Sequence, residues 1–220
     1  VTEAASYVAH FSLNSYEITA TTNPTNAGVI TGAGFYDHGT TCTLTVTANP
    51  GYSFINWTKD GEEVSDTETF SFTVTAAGNY VANFEVFGYE STVTANPEAG
   101  GSVTGTGVYV YGATATLTAT ANEGYTFVNW TKDGEVVATT PTYSITVTES
   151  ASYVANFSLN SYVITATANP EAGGLVTGAG TYNHFETCTL IATANEGYTF
   201  VNWTKDDEEV ANTPTFSFTD

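Results

Sequence analysis

The chain has 220 residues, with three basic residues against 23 acidic ones and a formal net charge of −20. A surface this acidic repels phosphate, so the composition argues against nucleic-acid binding and against docking on anionic lipid. No apolar stretch approaches the roughly 20 residues that a membrane-spanning helix needs, so we expect no membrane insertion. Little lysine with abundant Thr, Asn, Gly and Tyr is typical of an extracellular protein.

The sequence repeats along its length. Trp57, Trp130 and Trp203 follow one another at a spacing of 73 residues, each within the phrase Asn-Trp-Thr-Lys-Asp. A fixed long period indicates tandem duplication of one structural unit. We predict repeats at 16–88, 89–161 and 162–220. Units of this size bury a small fraction of their surface, so we expect each repeat to be stabilised by contacts with neighbouring repeats of the same chain.

The two ends of the chain are out of phase with these repeats. Residues 1–13 repeat 147–159, so we predict that 1–15 form the closing strand of a preceding repeat. The third repeat is predicted to be truncated and to lack its own closing strand. An unpaired strand and an open sheet edge together predict head-to-tail self-association. In an alternative phasing, the folding units begin at Val1, Val74 and Val147 and make three nearly whole periods.

Within a repeat the pattern is that of β-strands. Residues 41–48 alternate threonine with apolar residues, as in a half-buried strand, and 69–74 do the same. The stretch 131–135 predicts a tight hairpin with Gly134 in the left-handed conformation. The third repeat has Asp207 at this position, and we expect its left-handed backbone to cost about 1 kcal/mol of strain. These features predict an all-β fold, a tandem array of small antiparallel β units.

The motifs also resemble a known family. The run Gly-Tyr-Thr-Phe-Val-Asn-Trp at 124–130, the upstream Gly-Gly-x-Val-Thr-Gly and the closing Tyr-Val-Ala-Asn-Phe resemble the divergent internalin-type B repeats of bacterial surface proteins. The resemblance covers essentially the whole chain. It implies a β-grasp-like unit or a small sandwich used as a tandem stalk module, and it implies no catalytic residues.

The tryptophans have two interpretations. An exposed indole in every repeat would stack on sugar rings and give multivalent capture. The alternative is a core role, because a small unit needs a large aromatic residue inside. Trp57 shares strand parity with Ile55, which favours the core, while Tyr52 and Phe54 fall on the opposite parity. We therefore predict buried tryptophans in a strand covered on both faces.

Histidine and cysteine recur together, as His38 with Cys42 and as His184 with Cys188. Residues four apart in a strand are about 13 Å apart and cannot share a metal ion. We predict no metal site and interpret the cysteines as small buried residues. A Cys42–Cys188 disulfide would join non-adjacent repeats and is disfavoured.

The single lysine of each repeat raises another hypothesis. Lys59 is a candidate for a cross-link to Asn83, as in some bacterial surface modules. A hairpin tip is solvated, however, and gives the lysine no reason to lose its charge, so the sequence disfavours this reaction. The Asn-Trp-Thr sequon in each repeat lies within a strand, and we interpret it as accidental.

No nucleophile, base and acid recur together, so we predict neither an enzyme nor a cofactor. The favoured function is a spacer or stalk segment of a secreted or cell-wall-attached protein. The alternative is an adhesive module that binds host glycans or matrix proteins through exposed aromatic residues and loops. The aromatic candidates for such binding are Tyr36, Tyr109 and Tyr182.

Overall fold

The computed structural model describes residues 1–219, which form two compact units. The first unit comprises residues 1–89, 108–113 and 146–149, and the second comprises the rest of the described chain. The secondary structure follows the predicted period: the first two repeats have the same eight strands, and within residues 1–219 seven of them have counterparts in the third.

The first repeat contains two β-sheets. Its strands are β1 (Ser15–Asn23), β2 (Gly28–Thr31), β3 (Gly34–Asp37), β4 (Thr41–Ala48), β5 (Tyr52–Lys59), β6 (Glu62–Ser65), β7 (Thr69–Thr73) and β8 (Gly78–Val86). One sheet has five strands in the order β3-β1-β8-β5-β6, and the other has three in the order β2-β4-β7. Strands β1 and β8 pair in parallel, whereas the neighbouring pairs β1–β3 and β5–β8 are antiparallel.

The second repeat reproduces this arrangement. Its strands are β9 (Gly88–Asn96), β10 (Gly101–Thr104), β11 (Gly107–Val110), β12 (Thr114–Ala121), β13 (Tyr125–Lys132), β14 (Glu135–Ala138), β15 (Thr142–Thr146) and β16 (Ala151–Leu159). The sheet orders are β11-β9-β16-β13-β14 and β10-β12-β15. A single 3-10 turn, Glu98–Gly100, precedes β10, and its counterpart in the third repeat is Glu171–Gly173.

The third repeat differs in its larger sheet. Its strands are β17 (Ser161–Ile164), β18 (Gly174–Thr177), β19 (Gly180–Asn183), β20 (Thr187–Ala194), β21 (Trp203–Lys205), β22 (Glu208–Ala211) and β23 (Thr215–Thr219). The three-stranded sheet is intact, in the order β18-β20-β23, but the larger sheet is split into β17-β19 and β21-β22. Within residues 1–219, no strand occupies the position that β8 and β16 hold in the first two repeats.

Each core lies between the two sheets of its repeat. In the first repeat, Ile18, Trp57 and Tyr80 from the five-stranded sheet pack with Leu44 and Val46 from the three-stranded sheet. The threonines that alternate with these apolar residues on β4 face solvent, because successive side chains of a strand point to opposite faces. The all-β prediction is confirmed. Two sheets around one core make a small sandwich, and the parallel β1–β8 pair is an addition to the antiparallel pattern.

One detail of the predicted parity is wrong. Ile55 does not share the inward face with Trp57, because a β-bulge interrupts the pairing of β5 with β8 between Phe54 and Asn56. The extra residue shifts the alternation, so Phe54 and Trp57 both face the core and Ile55 is 47% exposed. The repeated bulge in β13 leaves Val128 exposed in the same way.

The segment before β1 contains no strand. Residues 1–14 have exposed side chains throughout, and Tyr7 and Phe11 are 92% and 95% exposed. Within residues 1–219, no strand pairs with this segment, although the Asn14 carbonyl accepts from the His38 N–H at 2.8 Å. Its assignment as a closing strand remains a prediction.

Candidate functional site

The tryptophans form the cores of the repeats. Trp57 and Trp130 have no exposed surface and Trp203 is 8% exposed. The indole Nε1 of Trp130 donates to the carbonyl of Pro141 at 3.2 Å, and that of Trp203 to the carbonyl of Pro214 at 3.3 Å. A buried indole cannot stack on a sugar ring, so the core interpretation is confirmed.

The three candidate tyrosines are half-buried. Tyr36 packs against the core of the first repeat and its hydroxyl donates to the carbonyl of Gly32 at 2.6 Å. Tyr182 packs against the third core and donates to the carbonyl of Gly178 at 2.5 Å. Tyr109 lies at the equivalent position of the second repeat, in β11. These contacts give Tyr36 and Tyr182 a structural role, and ligand binding through the three tyrosines stays a prediction.

The cysteines are free and buried, as the sequence predicts. The thiol of Cys42 lies 3.5 Å from the carbonyl of Gly32, beside the hydroxyl of Tyr36. Burial raises the pKa of the Cys42 thiol above its ordinary value. Over residues 1–219, no group of three or more His, Cys, Asp and Glu side chains is arranged to hold a metal ion.

His184 makes a packing contact that the sequence does not predict. His184 packs directly over Gly124, whose added Cβ would lie 2.0 Å from the imidazole Cδ2. Both imidazole nitrogens are buried without a hydrogen-bond partner among the described residues. In the first unit, Tyr111 lies over Gly51 in the same manner. The turn residue of one repeat therefore covers the glycine that begins the Gly-Tyr-x-Phe motif of the repeat before it.

The connections between repeats are correspondingly short. One residue, Phe87, separates β8 from β9, and its N–H donates to the carbonyl of Gly51 at 3.1 Å. Asn160 is the equivalent residue between β16 and β17, and it donates to the carbonyl of Gly124 at 2.7 Å. Gly51 and Gly124 are thus fixed to the following repeat through both a ring and a backbone hydrogen bond.

Asparagine side chains form a row across each complete larger sheet. In the first repeat, the Asn83 amide donates to Asn56 Oδ1 at 2.9 Å and to Thr58 Oγ1 at 3.2 Å, while Asn23 donates to Asn83 Oδ1 at 3.1 Å. Asn56 in turn donates to Glu63 at 2.7 Å. Part-buried amides need such partners, and the row provides them.

This row bears on the cross-link and glycosylation hypotheses. The Asn83 amide nitrogen that a cross-link would use is already occupied by Asn56 and Thr58. The Lys59 ammonium lies 5.7 Å from the ring centroid of Tyr80, in the range of a cation–π contact. The sequon amide of Asn56 is similarly engaged with Glu63. The side chains of Asn83, Lys59 and Asn56, which these two hypotheses require, therefore already have structural partners.

Residues 1–219 contain no helix that is long and apolar enough to cross a membrane.

Comparison with known proteins identifies the repeat. The model of the divergent InlB B-repeat domain matches three times, at residues 18–87, 91–161 and 164–219. No curated protein matches the chain. Among solved structures, the Bacillus anthracis TIE protein is similar, with 12% identity and a TM-score of 0.43, and the match covers 94% of this chain. The chain spans 48% of the length of that protein. Since the three matches cover most of its length, the chain belongs to the divergent InlB B-repeat family, as three tandem copies of the domain.

Proposed function

We propose that the chain is a non-catalytic spacer, a stalk segment of a secreted or cell-wall-attached bacterial protein that holds other domains away from the cell. The observation that carries this proposal is the construction of the repeat connections. A one-residue linker, a backbone hydrogen bond and a ring packed over a glycine leave each connection few free torsions. A flexible tether would need several unpaired linker residues.

The charge and the cores fit the same role. The net charge of −20 favours solubility and mutual repulsion between chains at a crowded surface. The three tryptophans, Tyr36 and Tyr182 contribute to packing within their repeats. Stability in such an array is the sum of repeat stabilities and nearest-neighbour terms, which suits a load-bearing element.

Spin labels on neighbouring repeats test this proposal. Thr114→Cys and Thr187→Cys place labels at equivalent, exposed positions of β12 and β20, while the native cysteines stay buried. We expect a single narrow distance distribution by double electron–electron resonance. A matched control inserts Gly-Gly-Ser after Asn160 and should broaden it. A distribution as broad in the parent as in the control would contradict a spacer.

One observation favours the adhesive alternative. The bulges of the first two repeats leave Ile55 47% exposed and Val128 45% exposed, and the equivalent Val201 of the third repeat, which lies outside any strand, is 75% exposed. A regularly spaced apolar residue is suited to multivalent contact with host glycans or matrix proteins. We would compare the chain with its triple serine variant at these positions on an array of glycans, mucin and matrix proteins. Saturable binding that the variant loses would support adhesion, and silence would favour the spacer.

A further inference from the structure

In the first two repeats, the first and the last strand of the larger sheet are neighbours that run in the same direction. The chain enters the first repeat at β1 and leaves it at β8, and these two strands pair in parallel over six residue pairs. It enters the second repeat at β9 and leaves it at β16, which pair in the same way. The two strands that connect a repeat to the rest of the chain are therefore joined directly to each other.

This pairing determines how a pull along the chain loads the sheet. Ile18, near the start of β1, lies beside Gly78, the first residue of β8. Asn23, the last residue of β1, lies beside Asn83. The points of entry and exit are thus at opposite ends of the pair. Tension draws the two strands past each other, so that all six residue pairs resist together instead of opening one after another.

Both strands lie inside the sheet, which prevents them from peeling off an edge. In the order β3-β1-β8-β5-β6, β1 is flanked by β3 on its other side, and β8 is flanked by β5. Pulling either strand out of the sheet therefore breaks pairs on both of its sides. An edge strand, by contrast, has a partner on one side only.

The core fixes the register of the parallel pair. Ile18 projects into the core from β1, and Tyr80, Ala82 and Phe84 project into it from β8. Because successive side chains point to opposite faces of a strand, sliding by one residue would bring exposed side chains into the core and buried ones into solvent. A load therefore has to overcome the packing of the core as well as the backbone hydrogen bonds.

Side chains on the solvent face connect the same two strands. The Thr19 hydroxyl donates to Asn79 Oδ1 at 2.5 Å, near the start of the pair. The Asn23 amide donates to Asn83 Oδ1 at 3.1 Å, at its end. Each bond joins residues that are 60 positions apart in the sequence, so each crosses from the first strand of the repeat to the last. These bridges add to the backbone pairs that lengthwise sliding would have to break.

The second repeat has bridges at the equivalent positions. The Thr92 hydroxyl donates to Ser152 Oγ at 2.7 Å. The Asn96 amide donates to Asn156 Oδ1 at 3.2 Å. One hydroxyl bridge and one amide bridge thus span each parallel pair.

We infer that the parallel pair of first and last strands, together with its side-chain bridges, is a clamp that resists tension along the chain. The first two repeats stand in series, so tension on one clamp passes through the one-residue connection at Phe87 to the next. This inference rests on the proposed spacer function, because a stalk that holds a domain away from a surface bears the pull on that domain. It goes further in assigning the load to particular residue pairs.

Two directions of pulling on the first repeat form a matched test in the full chain. Ser12→Cys with Glu85→Cys attaches handles beyond opposite ends of the parallel pair and loads it lengthwise. Ser12→Cys with Ala77→Cys attaches them at the same end, so that the pairs open one after another. All three positions are exposed, and the native cysteines are buried. We expect the lengthwise pull to require at least about twice the force at the same loading rate, because several hydrogen bonds break together.

Two valine variants test the side-chain bridge. Thr19→Val removes the hydroxyl that reaches β8 and keeps the shape of the side chain. We expect the unfolding rate of the first repeat under a constant lengthwise force to rise about threefold to tenfold. Thr21→Val is the matched control on the exposed face of the same strand, and it should change this rate by less than about twofold.

Optical tweezers measure the unfolding force and the unfolding rate. Equal forces for the two directions of pulling overturn the clamp. Equal rates for the two valine variants also overturn it, because the bridge would then bear no load. Either result, found together with a narrow spin-label distribution, leaves the spacer proposal standing. A broad distribution together with unequal forces would contradict the spacer and support the clamp.

Discussion

At the scale of single residues, glycine decides where the repeats make contact. Gly124 has φ of +77°, a conformation that side chains rarely adopt, and the His184 imidazole occupies the space where a Cβ would lie. Gly197 has the same place in the third repeat and a φ of +85°, but nothing lies within 4 Å of its would-be Cβ. Both positions require a positive φ, but only Gly124 also requires the absence of a side chain, because the His184 ring lies over it.

Gly124→Ala is therefore expected to lower the free energy of unfolding more than Gly197→Ala does. Both changes cost about 1 kcal/mol of backbone strain. Only Gly124→Ala adds a clash with a packed ring, which costs a further 1–3 kcal/mol or so. Urea unfolding, monitored by tryptophan fluorescence, measures the free energy of unfolding of the two variants. Equal losses in the two variants would show that His184 moves away freely.

The hairpin after the tryptophan strand gives a second residue-scale prediction. Its two turn residues have positive φ in every repeat: 52° at Asp133 with 85° at Gly134, and 52° at Asp206 with 67° at Asp207. The left-handed position predicted for Gly134 is confirmed. Asp207→Gly should raise the free energy of unfolding by about 1 kcal/mol, because glycine adopts this conformation without strain.

The reverse exchange is its control. Gly134→Asp puts the same side chain into the same turn of the second repeat and should destabilise by a similar amount, since nothing else lies near Gly134. Thermal unfolding of both variants by circular dichroism is sufficient. Shifts in the same direction would mean that the aspartate carboxylate, and not the backbone, sets the stability of the turn.

At the scale of the element, the central strand organises each repeat. Strand β16 pairs with β9 on one side and with β13 on the other, and it contributes Tyr153, Ala155 and Phe157 to the core. It also supplies Asn156, the middle member of the asparagine row. In the third repeat, where residues up to 219 form no such strand, the larger sheet is split and Trp203 is 8% exposed.

Asn156→Ala should destabilise the second repeat by about 1–3 kcal/mol. The change leaves the partly buried Asn129 and Thr131 side chains without their donor. Ser158→Ala, on the same strand but exposed, is the matched control and should have an effect within about 0.5 kcal/mol. Chemical unfolding measures the free energy of unfolding of both variants. Equal losses would show that the hydrogen bonds of the asparagine row add no stability.

At the scale of the whole molecule, we expect the repeats to differ in protection of their backbone amides. Residues 92–96 and 125–129 lie in strands that pair with β16, whereas within residues 1–219 their counterparts at 165–169 and 198–202 have no such strand beside them. Exchange is fast where backbone hydrogen bonds are missing. In dilute solution we expect hydrogen–deuterium exchange to be much faster at the third-repeat positions, by about tenfold or more. Equal protection would show that another segment pairs with these residues in solution.

Much of this protein follows from its sequence alone. The spacing of Trp57, Trp130 and Trp203 establishes the repeats, and the alternation of threonine with apolar residues establishes strands, because both are properties of the local chain. The burial of the tryptophans and cysteines follows from residue type and strand face. The left-handed turn at Gly134 follows from backbone chemistry.

The tertiary structure alone decided the rest, because it depends on pairing between distant residues. The bulge that exposes Ile55 and turns Phe54 inward arises only when β5 pairs with β8, so strand parity gives the wrong face. The contact of His184 with Gly124 joins two repeats and leaves no local pattern to detect.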